Sequence, residues 1–139
     1  MVLIDTSVWI DFFNGLETVA TQLFENLIWS EEDVYISDYI LTEVLQGFKV
    51  DREFDLVKKH LLKFPICGMK NNNSYIKAAQ IYRLCRKKGI TIRKTADCII
   101  AQTAIENGLF LLHNDTNFDL ISSICPLKIY SKKQLQNET

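Results

Sequence analysis

Along the chain the spacing of apolar positions changes period several times. Val2-Leu3-Ile4 is a short continuous apolar run, the mark of a strand covered on both faces. Thr6–Phe13 reads as a helix that ends at Asn14-Gly15. Leu16, Val19, Ala20, Leu23, Phe24, Leu27 and Ile28 then recur at three and four, which predicts an amphipathic helix. Val34-Tyr35-Ile36 is a second strand after the acidic Glu31-Glu32-Asp33. Ser37 or Asp38 can cap a helix running through Gln46 and closed by Gly47. Residues 52–64 form another helix, stopped by Pro65, and Ile66-Cys67 is a short strand. Asn73–Lys88 is a helix with cations in its last turns and Gly89 as its stop. Thr95 is placed to cap a helix ending at Asn107-Gly108. Leu109–Leu112 is a buried strand, Asn114–Ile121 a short helix and Lys128–Tyr130 a last strand. Short apolar strands alternating with helices predict one α/β domain, a parallel sheet with helices on both faces, over residues 1–131. Residues 132–139 are expected to be a polar, frayed tail.

Composition narrows the picture further. The chain has 139 residues, 47% of them hydrophobic, enough for a core without disulfides or metal staples. Sixteen basic and 17 acidic residues give a net charge of −1, so any nucleic-acid site must come from charge distribution rather than from the total. No apolar run is long enough to span a membrane, and Met1-Val2-Leu3-Ile4 meets Asp5 at once, which excludes a signal-peptide core. Cys67, Cys85, Cys98 and Cys125 contain no C-x-x-C pair and lie in apolar stretches. They read as reduced core thiols of a cytoplasmic protein.

The candidate chemistry is acidic. In an open α/β sheet, sites form beyond the carboxyl ends of the strands. Asp5 directly follows the first strand and Asp115 lies just past Leu109–Leu112. Asp97 falls in the first turn of a helix, and helix starts adjoin the same rim. Glu43 sits mid-helix with no basic residue three or four positions away. Taken singly, each has a structural reading: Asp5 as a helix cap, Asp97 as a dipole partner, Asp115 as a turn residue, Glu43 as a solvated side chain. Taken together they compete for one rim. At about 5 Å and an effective dielectric of about 20, each like-charged pair costs about 3 kcal/mol. Sites that tolerate this commonly hold a cation, and an all-oxygen set points to Mg²⁺ or Mn²⁺ rather than zinc. Such ions commonly serve phosphoryl chemistry.

Four segments carry a family resemblance: Val2-Leu3-Ile4-Asp5-Thr6-Ser7-Val8-Trp9-Ile10-Asp11, Thr42-Glu43-Val44-Leu45-Gln46-Gly47, Thr95-Ala96-Asp97-Cys98-Ile99-Ile100-Ala101 and Leu111-Leu112-His113-Asn114-Asp115-Thr116-Asn117-Phe118. In order and spacing they resemble PIN-domain ribonucleases, and most nearly the VapC toxins of bacterial toxin–antitoxin pairs. The resemblance implies a four- or five-stranded parallel sheet and hydrolysis of RNA phosphodiester bonds by a metal-activated water. It matches Asp5, Glu43, Asp97 and Asp115 to the family's catalytic, metal-holding acids, and Thr6 to a hydroxyl that orients them. At Asn117 many relatives carry a further carboxylate, so this chain has one charge fewer for a second ion. It also implies a homodimer and a groove for the helix of a VapB-like antitoxin. The alternative is a PIN-like module that binds RNA or protein without cleaving. A phosphoryl-accepting receiver finds no Asp at Ile66-Cys67-Gly68, and Asp5-Thr6-Ser7 lacks the D-x-D of haloacid-type phosphatases. No residue stands out as a general acid. His113 is the one candidate near the rim, with local packing at the strand end as its other reading.

Arg83, Arg86, Lys87, Lys88, Arg93 and Lys94 form a basic segment that no acid interrupts, running toward Asp97. It reads either as a solvated helix end favoured by the helix dipole or as a strip of RNA phosphate contacts. Trp9, Phe12, Phe13 and Trp29 are expected in the core rather than at an interface.

Overall fold

A computed structural model describes residues 1–137, without side-chain detail for 135–137. The expectation of a frayed tail at 138–139 lies outside the described residues. In chain order the elements are β1 (Val2–Ile4), α1 (Thr6–Phe13), α2 (Val19–Trp29), β2 (Val34–Ser37), α3 (Asp38–Gln46), α4 (Asp51–Leu61) and β3 (Ile66–Cys67). They continue with α5 (Asn72–Lys87), α6 (Thr95–Glu106), β4 (Phe110–Leu112), α7 (Thr116–Ser122), β5 (Lys128–Ile129) and α8 (Lys132–Asn137).

The strands form one five-stranded sheet of order β3-β2-β1-β4-β5, every pair parallel. The chain starts at the centre, winds outward through β2 and β3, then returns to the other side of β1 to lay down β4 and β5. The order therefore reverses between β1 and β4, where such sheets open a crevice at their carboxyl ends. Ile4 pairs with Leu112 in register, and the Asp5 amide closes the pair by donating to the Leu112 carbonyl at 2.9 Å.

β1 is buried along its whole length because helices cover both faces, which explains its unbroken apolar sequence. Trp9 anchors the α1 side. It is 1% exposed, and its indole N–H donates to the Ile4 carbonyl at 3.1 Å. Its ring meets Phe24 at 4.8 Å and Phe64 at 5.1 Å, edge to face.

Four local expectations are corrected. The second helix begins at Val19 rather than Leu16, because Thr18 and Thr21 form a reciprocal capping box there and leave Leu16 in solvent. Lys94, not Thr95, occupies the cap position of α6, with no side-chain cap bond. Trp29 is not core: it is 86% exposed, at the last position of α2 and beyond the face that packs. The start of the tail is ordered as α8, where Gln134 accepts from the Ser131 amide and hydroxyl and fixes the first turn. All four cysteines are free thiols, Cys85 and Cys98 buried and the other two partly so. Burial pushes the Cys98 thiol up to about 12.

Candidate active site at the sheet's carboxyl rim

Four elements deliver the four acids to the crevice between β1 and β4. Asp5 leaves β1 and caps α1, while Asp115 follows β4 and caps α7. Asp97 lies in the first turn of α6, and Glu43 faces inward from the middle of α3. Asp5 and Asp97 are each only 5% exposed, whereas Glu43 and Asp115 are half-buried.

Each carboxylate is turned onto its own donor. Asp5 Oδ2 accepts from the Ser7 hydroxyl at 2.7 Å and the Ser7 amide at 3.3 Å. Glu43 Oε1 accepts from the Thr6 hydroxyl at 2.7 Å. Asn117 serves two acids: its side-chain amide donates to Asp97 at 3.2 Å, and its backbone N–H donates to Asp115 at 2.9 Å. A carboxylate at position 117 would instead repel Asp97. The departure from the family pattern thus exchanges a charge for a hydrogen bond.

Donors alone do not make the site comfortable. Burial holds the Asp5 carboxyl above its ordinary range, and the Asp97 charge adds to the rise. Burial also raises Asp97, with Asp115 and Glu43 adding repulsion. Asn117 and Lys94 only partly offset this. Asp97 links the four acids in one electrostatic unit: its charge acts on Asp5, and the charges of Asp115 and Glu43 act on it. Among the described residues, however, no three His, Cys, Asp or Glu side chains converge closely enough to coordinate one ion. The donor set is nevertheless hard oxygen throughout, with buried negative charge that a cation would relieve, which is the chemistry of Mg²⁺ or Mn²⁺.

One supporting residue, Ser7, was missed in the sequence; His113, already singled out near the rim, makes local hydrogen bonds there. Ser7 holds Asp5 and also accepts from the Asn114 amide at 3.3 Å, tying the β1 turn to the β4 turn. The signal was present: an Asp cap with a hydroxyl residue two positions on. His113 Nδ1 accepts from the Asp115 amide at 3.0 Å, so its Nε2 carries the proton toward Asp119, also at 3.0 Å. It thus anchors the turn that carries Asp115.

The six basic residues do not share one surface role. Arg83 and Arg86 line a groove between α5 and α6. Lys94 stands before α6 and acts electrostatically on Asp97. Lys87, Lys88 and Arg93 are exposed outside that groove, at the end of α5 and in the following loop. A separate apolar groove of about 400 Å³ opens between α1, α2 and α4, lined by Trp9, Phe12, Phe13, Ile28 and Leu56 among others. No helix among the described residues is long and apolar enough to cross a membrane.

The PIN-domain model matches residues 2–123, and the chain belongs to that family. It is 33% identical over 133 residues to VapC ribonuclease Mb1587 of Mycobacterium bovis and to Ribonuclease VapC11 of Mycobacterium tuberculosis, covering 94% of this chain and 98% of each relative. The fold superposes on VapBC2 of Rickettsia felis bound to a promoter DNA fragment, with a TM-score of 0.74 and 19% identity over 94% of this chain and 98% of that one. VapC20 of Mycobacterium tuberculosis, a toxin that cleaves the sarcin–ricin loop, superposes with a TM-score of 0.64 and 13% identity over 86% and 93%.

Proposed function

We propose that this chain is the ribonuclease toxin of a toxin–antitoxin pair, a cytoplasmic enzyme that hydrolyses RNA phosphodiester bonds with Mg²⁺ or Mn²⁺. One observation carries the reading: four carboxylates from four separate elements form one electrostatic unit in the crevice between β1 and β4, two of them almost fully buried. Burying mutually repelling acids costs stability, so their presence at the switch point of the sheet speaks for function.

Asp5, Asp97 and Asp115 would hold the ion, with Glu43 completing the set directly or through water. A divalent cation bound there offsets charge on the phosphoryl oxygens and lowers the pKa of water. The chain's own residues do the positioning. Ser7 fixes Asp5, Thr6 fixes Glu43, and Asn117 fixes Asp97 and Asp115. Closing around an ion takes a turn of these side chains away from such donors. Neighbouring Lys94 and the guanidinium groups of α5 favour the approach of an anionic strand.

The groove between α1, α2 and α4 is the reading's second element. Phe12, Phe13 and Phe64 there are partly open to solvent, and an amphipathic helix of a VapB-like antitoxin would cover them. Homodimerisation, common to such toxins, belongs to the same reading.

The direct test is cleavage of single-stranded RNA by the purified chain in Mg²⁺, in EDTA, and in EDTA with Mn²⁺ added back. Asp97→Asn prepared in parallel controls for contaminating nuclease. Cleavage that survives EDTA, or that Asp97→Asn shares, sinks the proposal. RNA binding without cleavage in any metal favours the non-cleaving module.

A further inference from the structure

The groove between α5 and α6 has a composition that phosphate contacts alone do not explain. Tyr75, Ala79, Tyr82, Arg83 and Arg86 lie at helical spacing on one outward face of α5. That face opens toward Thr95 at the start of α6 and encloses about 360 Å³. Ala79 is the small residue that leaves the trough between the two tyrosines. Tyr75 is 56% exposed, so much of a large aromatic side chain stands in water. The Arg86 guanidinium already lies over the Tyr82 ring at 5.7 Å from its centre. No carboxylate lines the groove, and neither arginine is ion-paired among the described residues. Thr95 lines the groove and Asp97 lies in the same first turn of α6 on another face, so the groove and the acidic crevice share the start of one helix.

An occupant must therefore offer a flat face to tyrosine, an anion to guanidinium, and a covalent continuation into the carboxylate site. Building on the ribonuclease reading, we propose that this groove is a base-binding subsite, taking one unstacked nucleobase of a single-stranded RNA whose neighbouring phosphate lies at the acids. The base stacks on the tyrosine rings, and Arg83 and Arg86 take the flanking phosphates. A duplex cannot use the groove, because its bases are stacked within the helix. A two-fold contact through this face is disfavoured, since it would bring four unpaired guanidinium groups together. Tyrosine accepts any base face, so the subsite demands an unpaired nucleotide without selecting which.

The test is fluorescence anisotropy of a labelled mixed-sequence single-stranded oligoribonucleotide in EDTA, with an abasic residue placed at each position in turn. In the wild type, one abasic position should weaken binding about tenfold, the scale of one lost base–aromatic stack. Tyr75→Ala and Tyr82→Ala should bind the intact RNA about tenfold more weakly, and the abasic residue should then cost nothing further. Tyr82→Phe should keep the wild-type affinity, and none of these variants should change the slope of affinity against salt. Tyr75 is exposed, so its variant reports even if Tyr82→Ala melts early. Wild type that binds and cleaves RNA with every abasic cost unchanged in Tyr75→Ala overturns the subsite and leaves the ribonuclease standing. Tyr75→Ala that alters the sedimenting mass but not RNA affinity assigns the face to a second copy and also overturns it. Wild type that neither binds nor cleaves RNA overturns both readings.

Discussion

The carboxylate crevice and the α5–α6 groove meet at the start of α6, yet they treat charge in opposite ways. In the crevice, Asp5 and Asp97 are taken almost wholly out of water and set beside Asp115 and Glu43. In the groove, Arg83 and Arg86 stay exposed and unpaired among the described residues. Exposed cations are screened and cost the fold little. Buried like charges are not screened, and burial, with repulsion added, raises the Asp5 and Asp97 carboxyls. The acids are therefore costly to the fold in the absence of a cation, whereas the arginines cost it little. A net charge of −1 conceals both, since it averages a negative crevice with a positive edge.

The largest expected effect is on catalysis. Asp5→Asn, Glu43→Gln and Asp97→Asn should each lower RNA cleavage at least about 100-fold, roughly 2.7 kcal/mol in the barrier. Single-turnover rates of the purified variants check this. A wild-type rate in Asp97→Asn would reduce that residue to a partner of the helix dipole.

The basic edge should respond in binding rather than in rate. Replacing Arg83, Arg86 and Lys94 by alanine should lower the salt slope of RNA affinity by up to about 2, at about 0.7 for each lost single-strand contact. Titrations in EDTA at several salt concentrations measure it. An unchanged slope would make these side chains a solvated helix end.

A metal should relieve the crevice and leave the groove untouched. Millimolar Mg²⁺ should raise the melting temperature of wild type by about 3–5 °C, the equivalent of roughly 1 kcal/mol for a domain of this size. Asp97→Asn should gain much less, and a variant with Arg83 and Arg86 alone replaced by alanine, which keeps Lys94 beside Asp97, as much as wild type. Equal gains in wild type and Asp97→Asn would remove Asp97 from the ion's ligands.

The smallest effect expected is on pH dependence. Asp5 and Asp97 titrate above their ordinary 3.8 in the folded state. The folded protein then binds more protons than the unfolded chain in this window, so stability falls as pH rises. These two groups add no penalty below about pH 3.8 and their full penalty once pH exceeds their raised values. In EDTA, Asp97→Asn should show a shallower loss than wild type across that window, followed by denaturant titration at each pH. A steeper loss in the variant would contradict the direction assigned to Asp97.

Much of this was legible in the linear chain. The three-residue apolar run at Val2–Ile4 already pointed to a strand with both faces covered, because no polar residue offers a solvated side. Asp5 and Asp115 could be placed at strand ends from local pattern alone. So could Asp97 in the first turn of α6, since caps and first turns are properties of neighbouring residues. The Thr18–Thr21 capping box was written there too, although the apolar periodicity beginning at Leu16 concealed it.

What the chain by itself determined, then, was the alternation of strands and helices, the sign of each charged segment and the residues able to act at strand ends. Only the tertiary structure decided that β4 inserts beside β1, which brings Asp115 near Asp97 and makes Asn117 a donor to it. Only it separated Trp9 from Trp29, identical in hydrophobicity but 1% and 86% exposed. It also divided the basic run, lining a groove with Arg83 and Arg86 and leaving Lys87 and Lys88 outside. The physical reason is the same in each case. Caps, turns and amphipathic periods act over a few residues, whereas burial, charge coupling and groove shape depend on which distant segments the sheet order makes neighbours.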